Sequence, residues 1–141
     1  MSDDPAPQDV EAVVEGLVAY NSRFVEGREE HRRRPLGVFA RRDGRVVGGA
    51  SGHSAWGWLF VQYLWVDESL RGTGTGSELL GRFERRGVER GCRAVWVDTF
   101  SFQARPFYEK LGYRQFGELA DHPPGHRHHF LWKPLDGGDA G

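Results

Sequence analysis

The sequence predicts an α/β domain of the mixed kind, a mostly antiparallel sheet flanked by helices. Three observations predict it. Short apolar runs of strand type alternate with stretches whose apolar residues recur at helical spacing. An Asp-Gly dipeptide at Asp43-Gly44 joins two of the strand runs head to tail. A glycine-rich turn separates a strongly apolar run from an amphipathic one. The chain has 141 residues, which fits one domain read as residues 1–135, and the Gly/Asp-rich tail 136–141 is expected to be disordered.

The elements follow in order. Val10, Val13, Val14, Leu17, Val18, Asn21, Phe24 and Val25 recur at helical spacing, predicting a helix over 8–25 whose apolar face must pack on something. Residues 27–35 are charged with both signs and read as a solvated loop. Two strands, 36–40 and 45–47, flank Asp43-Gly44, where a tight hairpin turn needs positive φ. Residues 56–66 are apolar at both parities. Trp58, Phe60, Leu64 and Val66 fall on one side and Leu59, Val61, Tyr63 and Trp65 on the other, predicting a central strand buried on two faces. From 74 to 90, Gly76, Leu79, Leu80, Phe83 and Gly87 share one helical face opposite a charged one, and Gly91 follows as a C-terminal cap. Residues 94–98 read as a strand, 104–111 as a short helix closed by Gly112, and 113–119 and 128–132 as two last strands.

Composition excludes several function classes. Lys and Arg total 19 against 20 Asp and Glu, so the one-sided field of a nonspecific nucleic-acid or anionic-membrane binder is missing. Lys110 and Lys133 are the only lysines, and the arginine bias reads as codon usage. With the single Cys92 there is no intrachain disulfide and no cysteine-based metal motif. No run approaches the ~18 apolar residues of a membrane helix, and a soluble cytoplasmic protein is expected. Gly is unusually frequent at 20 residues, and its placement carries the functional signal. Gly48, Gly49 and Gly52, together in one strand, admit only a bulge or a close backbone approach as their reason.

The informative stretch is Val66-Asp-Glu-Ser-Leu-Arg71-Gly-Thr-Gly-Thr-Gly76, between an apolar strand and an amphipathic helix. Successive residues without Cβ let backbone N–H groups curl into a concave nest, and the following helix adds its unsatisfied N–H groups and its positive dipole end. Gly72, Gly74 and Gly76 thus make a pyrophosphate site of backbone, with Thr73, Thr75 and Ser77 offering hydroxyls and Arg71 supporting charge. A Walker loop would need a Lys before Ser77, and Gly76 stands there. A dinucleotide site stays open on spacing, since Asp98 ends the next strand 22 residues on, although the hairpins disfavour a parallel sheet.

Arg71-Gly-Thr-Gly74-Thr-Gly76 resembles the Arg/Gln-x-x-Gly-x-Gly/Ala motif of the GNAT superfamily of acyl-CoA-dependent N-acetyltransferases. Ala104-Arg-Pro-Phe107-Tyr108-Glu-Lys-Leu-Gly112-Tyr113 is similar to that family's second signature, in the expected order after one helix and one strand. The resemblance spans residues 36–134. It implies a GNAT-like fold with splayed central strands, acetyl-CoA as co-substrate and no metal. The pantetheine arm would run along the backbone of Leu64, Trp65 and Val66, and the pyrophosphate would rest on Gly72 to Gly76. The family's strand before the first helix has no counterpart, and Ser101 stands where many relatives carry Asn at a cofactor contact. Homodimers are common in such folds.

Amine acetylation needs a neutral amine, a polarised thioester carbonyl and a proton for the leaving thiolate. A phenol near pKa ~10 can protonate a thiolate whose thiol lies near ~8.5. Tyr108 matches the family's general acid, and the competing reading is a packed aromatic beside Phe107. A backbone N–H near Val66 can polarise the carbonyl. For the base or amine recognition Asp98 leads over His53, Gln62 and Glu118. His122, His126, His128 and His129 lack a cysteine, and neighbours in a strand point to opposite faces, so substrate lining by His126 or His128 outweighs metal binding. The expected activity is acetyl transfer to a primary amine of a small molecule or peptide by direct attack. The rivals are a non-catalytic acyl-CoA-binding module and a nucleotide-binding oxidoreductase.

Overall fold

The computed structural model describes residues 1–25 and 33–135; most of the predicted 27–35 loop and the whole 136–141 tail lie outside the described residues. The elements are α1 (Pro7–Val25), β1 (Arg34–Arg42), β2 (Arg45–Ala55), β3 (Trp58–Val66), a 3₁₀ turn (Glu68–Leu70), α2 (Thr75–Glu89), β4 (Ala94–Phe100), α3 (Arg105–Lys110), β5 (Arg114–Ala120) and β6 (Arg127–Pro134). They form one six-stranded sheet in the order β1-β2-β3-β4-β6-β5. Every neighbouring pair is antiparallel except β3–β4, where α2 crosses from one parallel strand to the next. The fold class expected from the sequence is the one observed.

Local chemistry explains the turns. Asp43 (φ 52) and Gly44 (φ 78) take the positive φ that a tight hairpin demands, and Gly91 (φ 88) and Gly112 (φ 97) end their helices in the left-handed region. The β1–β2 hairpin runs far longer than the apolar triplet 45–47 implied, because Gly48, Gly49 and Gly52 belong to β2. At Gly52 a Cβ would sit 1.8 Å from the Phe60 carbonyl oxygen. The reason is a bulge. Ser51 pairs Tyr63 and Gly52 pairs Val61, which leaves Gln62 as the extra residue of β3.

That bulge corrects the reading of β3. Leu59 and Val61 are fully buried, and the skipped beat at Gln62 then turns Leu64 and Val66, rather than Tyr63 and Trp65, to the same side. Trp58, Phe60, Tyr63 and Trp65 share the other face. Trp56 is not in the strand at all; with Gly57 it makes a positive-φ turn. Leu80 and Phe83 of α2, with Tyr108 and Tyr113, bury the inner face over Ala50, Leu59, Val61, Val95, Val97 and Leu131. Arg90 ties the far end of α2 to the hairpin by donating to the carbonyls of Arg34 and Pro35 and to Ser54 Oγ. Tyr113 Oη donates to Glu84 Oε2 at 2.6 Å, and Lys133 Nζ lies 2.9 Å from Glu84 Oε1, so α2, the turn after α3 and β6 are clamped together.

Two packing expectations fail within the single chain. The apolar face of α1 has no cover among the described residues: Val13, Leu17, Val18 and Phe24 are 58–72% exposed. Nor is β3 buried on two faces, because its outer face carries no helix.

Candidate active site

The strands β3 and β4 pair only from Trp58↔Ala94 to Val61↔Val97. Beyond that point β3 continues to Val66 and β4 to Phe100 without pairing. The splay thus begins at the Gln62 bulge. On the β2 side Leu64, Trp65 and Val66 are paired with Ala50, Gly49 and Gly48, while their β4-facing edge is left to another partner. An extended amide-bearing arm can occupy such an edge as an added strand would.

At the end of β3 the chain turns into α2. Asp67 caps the 3₁₀ turn, accepting from Ser69 N–H at 3.1 Å and from Ser69 Oγ at 2.5 Å, and these bonds hold its carboxyl below the usual range. Gly72 (φ 78) and Gly74 (φ 85) are both left-handed, and Gly74 is the N-cap of α2 with no side-chain cap. The N–H groups of Gly72, Gly74, Thr75, Gly76 and Ser77 have no acceptor among the described residues, whereas Thr73 N–H bonds Leu70 O and Glu78 N–H bonds Gly74 O. Thr73 and Thr75 pair their hydroxyls at 2.7 Å over these amides, and Arg71 stands exposed beside them. Five unclaimed amides at a helix N-terminus fit a pyrophosphate. A Cβ on Gly76 would lie 3.5 Å from the Phe107 ring and 3.6 Å from Val66, so the nest, the end of β3 and α3 adjoin.

Tyr108 on α3 is 5% exposed, edge-on to Phe107 and Tyr113. Burial, and secondarily the Asp98 charge, push its phenol up to about 12 from an ordinary 10.0. The phenol makes no hydrogen bond among the described residues. It is not among the sealed unpaired polar atoms either, which are Gln115 Oε1 and His129 Nδ1, so its oxygen reaches accessible space.

Asp98 lies inside β4 rather than at its end, with Thr99 and Phe100 following. Its Oδ2 is 2.7 Å from His128 Nε2. A carboxylate only accepts, so the imidazole donates Nε2–H and presents Nδ1; that atom lies 3.4 Å from His122 Nδ1. The rings of Phe100 and Phe130, each with its centroid 4.4 Å from that of His128, hold the imidazole in place. Sequence reasoning named both residues without pairing them, because they are 30 positions apart and only the β4–β6 register brings them together.

The other candidates are engaged elsewhere. Ser101 Oγ accepts from Arg127 N–H and lies 3.2 Å from His126 Nδ1, so it clips the β5–β6 loop. Glu118 accepts from Gln115 and Arg127, which hold its carboxyl low. His53 packs at a tilt against the Phe60 ring, centroids 5.3 Å apart, and burial pulls its imidazole below the usual value. Among the described residues no three His, Cys, Asp or Glu side chains converge on a metal geometry, and no helix is long and apolar enough to cross a membrane.

Two strands that part beside a nest of free amides at a helix N-terminus, with a buried phenol on the adjoining α3, fit an acyl-CoA N-acyltransferase. Residues 6–113 match the Acetyltransferase (GNAT) family, and the chain belongs to that family. It is 45% identical over 107 residues to the blasticidin-S acetyltransferase of Streptomyces morookaense, covering 72% of this chain and 79% of the relative. The crystal structure of an acetyltransferase from Bacillus cereus superimposes with a TM-score of 0.88 at 34% identity, covering 96% of this chain and 97% of that one. A more distant Bacillus anthracis structure in complex with acetyl coenzyme A has a TM-score of 0.64 at 16% identity, over 74% of this chain and 64% of its own. The protein is thus an acetyl-CoA-dependent N-acetyltransferase acting on an amine-containing substrate.

Proposed function

We propose that the enzyme acetylates a primary amine of a small molecule of the blasticidin-S type by direct attack in a ternary complex, working as a homodimer. The single observation that carries the catalytic part is the splay past Val61 and Val97, with the amide nest at one lip and the Asp98–His128 pair at the other. The acceptor reading is supported by the 45% identical relative, a blasticidin-S acetyltransferase.

In this reading the amides of Gly72, Gly74, Thr75, Gly76 and Ser77, with Arg71, hold the pyrophosphate, and the free edge of Leu64, Trp65 and Val66 orients the pantetheine arm. Ser101 contributes only by fixing the loop beside it. A backbone N–H near Val66 polarises the thioester carbonyl. As the N–C bond forms and the C–S bond breaks, His128, oriented by Asp98, takes the amine proton and passes it to water. Tyr108 supplies a proton to the departing thiolate and regains one from water.

A panel of amines headed by blasticidin S, with free thiol release as readout, tests the acceptor; turnover of other amines only would remove the blasticidin-type assignment. For the acid, Tyr108→Phe is expected to lower kcat about 10²-fold while leaving CoA affinity intact. Since its pKa is raised to about 12, the phenol stays protonated through pH 10 and the wild-type rate has no falling limb there. Loss of rate near pH 10 that Tyr108→Phe abolishes would show an ordinary phenol and overturn the assignment of a buried acid.

A further inference from the structure

The outer face of the sheet is an aromatic surface without a cover. Trp58, Trp96, Phe116, Phe130 and Trp132 line an open hollow of about 660 Å³. Phe60 stacks on Trp96 at 4.1 Å, and farther along the same face Tyr63 and Trp65 are 66% and 51% exposed. Exposed aromatic side chains that adjoin along one face are the kind of surface an interface covers. The same chain carries a second unpartnered apolar surface, the α1 stripe of Val10, Val13, Val14, Leu17, Val18 and Phe24, every one at least 49% exposed.

We infer that two copies of this chain exchange α1, each helix laying its aliphatic stripe across the aromatic outer face of the other copy's sheet. Three observations favour a second copy. The two surfaces are both present on every chain and, among the described residues, α1 makes no more than sparse contact with the sheet, which is what a twofold, self-complementary interface requires. The sizes match: 19 helical residues run about 28 Å at ~1.5 Å each, and six strands span about 24 Å at ~4.8 Å spacing. The charges match as well. Asp9, Glu11 and Glu15 flank the stripe, with Arg23 as the opposing charge, while the hollow's rim carries Arg114, its guanidinium 5.2 Å over the Trp132 ring.

This interface goes beyond the catalytic reading and stands whether or not His128 is the base. It also satisfies both sequence expectations that the single chain leaves unmet: a partner for the α1 face, and a β3 buried on two sides. Phe130 lines the hollow and stacks on His128, so the partner's helix borders the acceptor side of the site.

Light scattering on the eluting full-length chain tests it. The expected result is a dimer at micromolar concentration that Leu17→Asp converts to a monomer with unchanged thermal stabilisation by CoA. A monomeric wild type, or a Leu17→Asp protein that stays dimeric, would overturn the exchange. A second measurement needs no disrupted variant. One copy carrying Leu17→Cys is mixed with a differently tagged copy carrying Phe116→Cys, and a disulfide between the two tags is expected on oxidation; Cys92, 3% exposed, does not compete. No link between the tags, or efficient linking only within a single chain carrying both substitutions, would show that α1 seats elsewhere or folds back on its own sheet, and would overturn the proposal.

Discussion

The two faces of the one sheet differ in nearly every respect that decides stability. The inner face is aliphatic and closed, with Leu59, Val61, Val95 and Leu131 fully buried under Leu80 and Phe83 of α2. On the outer face the residues are aromatic and open, Trp65 and Tyr63 being more than half exposed. Both faces are drawn from the same strands by alternation, and β3 contributes to each on either side of the Gln62 bulge. The difference teaches that the inner face carries the packing that folds the chain, whereas the outer face, open among the described residues, is the surface inferred above to seat a second copy.

The sharpest way to break that comparison is to truncate one residue on each side. Phe83→Ala removes a fully buried ring and is expected to cost about 3–5 kcal/mol, independent of protein concentration, in denaturant unfolding. Trp96→Ala on the outer face is expected to lower the melting temperature by an amount that grows as the protein is concentrated, because the lost contacts belong to the dimer. Equal, concentration-independent losses would mean that the faces do not divide the labour in this way.

A smaller effect is expected where the two faces change parity. Gly52→Ala sets a Cβ 1.8 Å from the Phe60 carbonyl oxygen, so the Gln62 bulge must shift. The expected cost is about 2–3 kcal/mol, together with weaker CoA binding, read as a smaller CoA-induced rise in melting temperature. Full stability and unchanged CoA response would detach the bulge from the splay. Smallest of all is the solvent flank of α2, which serves neither face. Arg82 and Glu78 form an ion pair with both side chains over 60% exposed, and Arg82→Ala is expected to change stability by less than about 0.5 kcal/mol. A larger loss by thermal unfolding would show that this flank is covered.

Much of the fold and the geometry of the glycine nest were legible before the structure. The nest was readable because its chemistry is local: Gly72 and Gly74 take positive φ for reasons contained in the turn itself, and α2 begins where its apolar period begins. Tyr108 was readable through the motif around Phe107 and Tyr108. The Asp98–His128 pair was not, since it rests on a register between β4 and β6 that no local pattern encodes. Neither was the role of Ser101, whose partners Arg127 and His126 arrive on another strand and its loop. The parity of β3 was misread because a bulge leaves no periodic trace; its only sequence mark is Gly52, on the neighbouring strand.

The sequence by itself determined the helices, the turns, the glycine nest and the family, since each depends on side-chain type and spacing along a few consecutive residues. Tertiary structure alone decided which residues meet and which face stays open. Those outcomes depend on pairing between strands distant in the chain, where one inserted residue at Gln62 redirects every side chain that follows it.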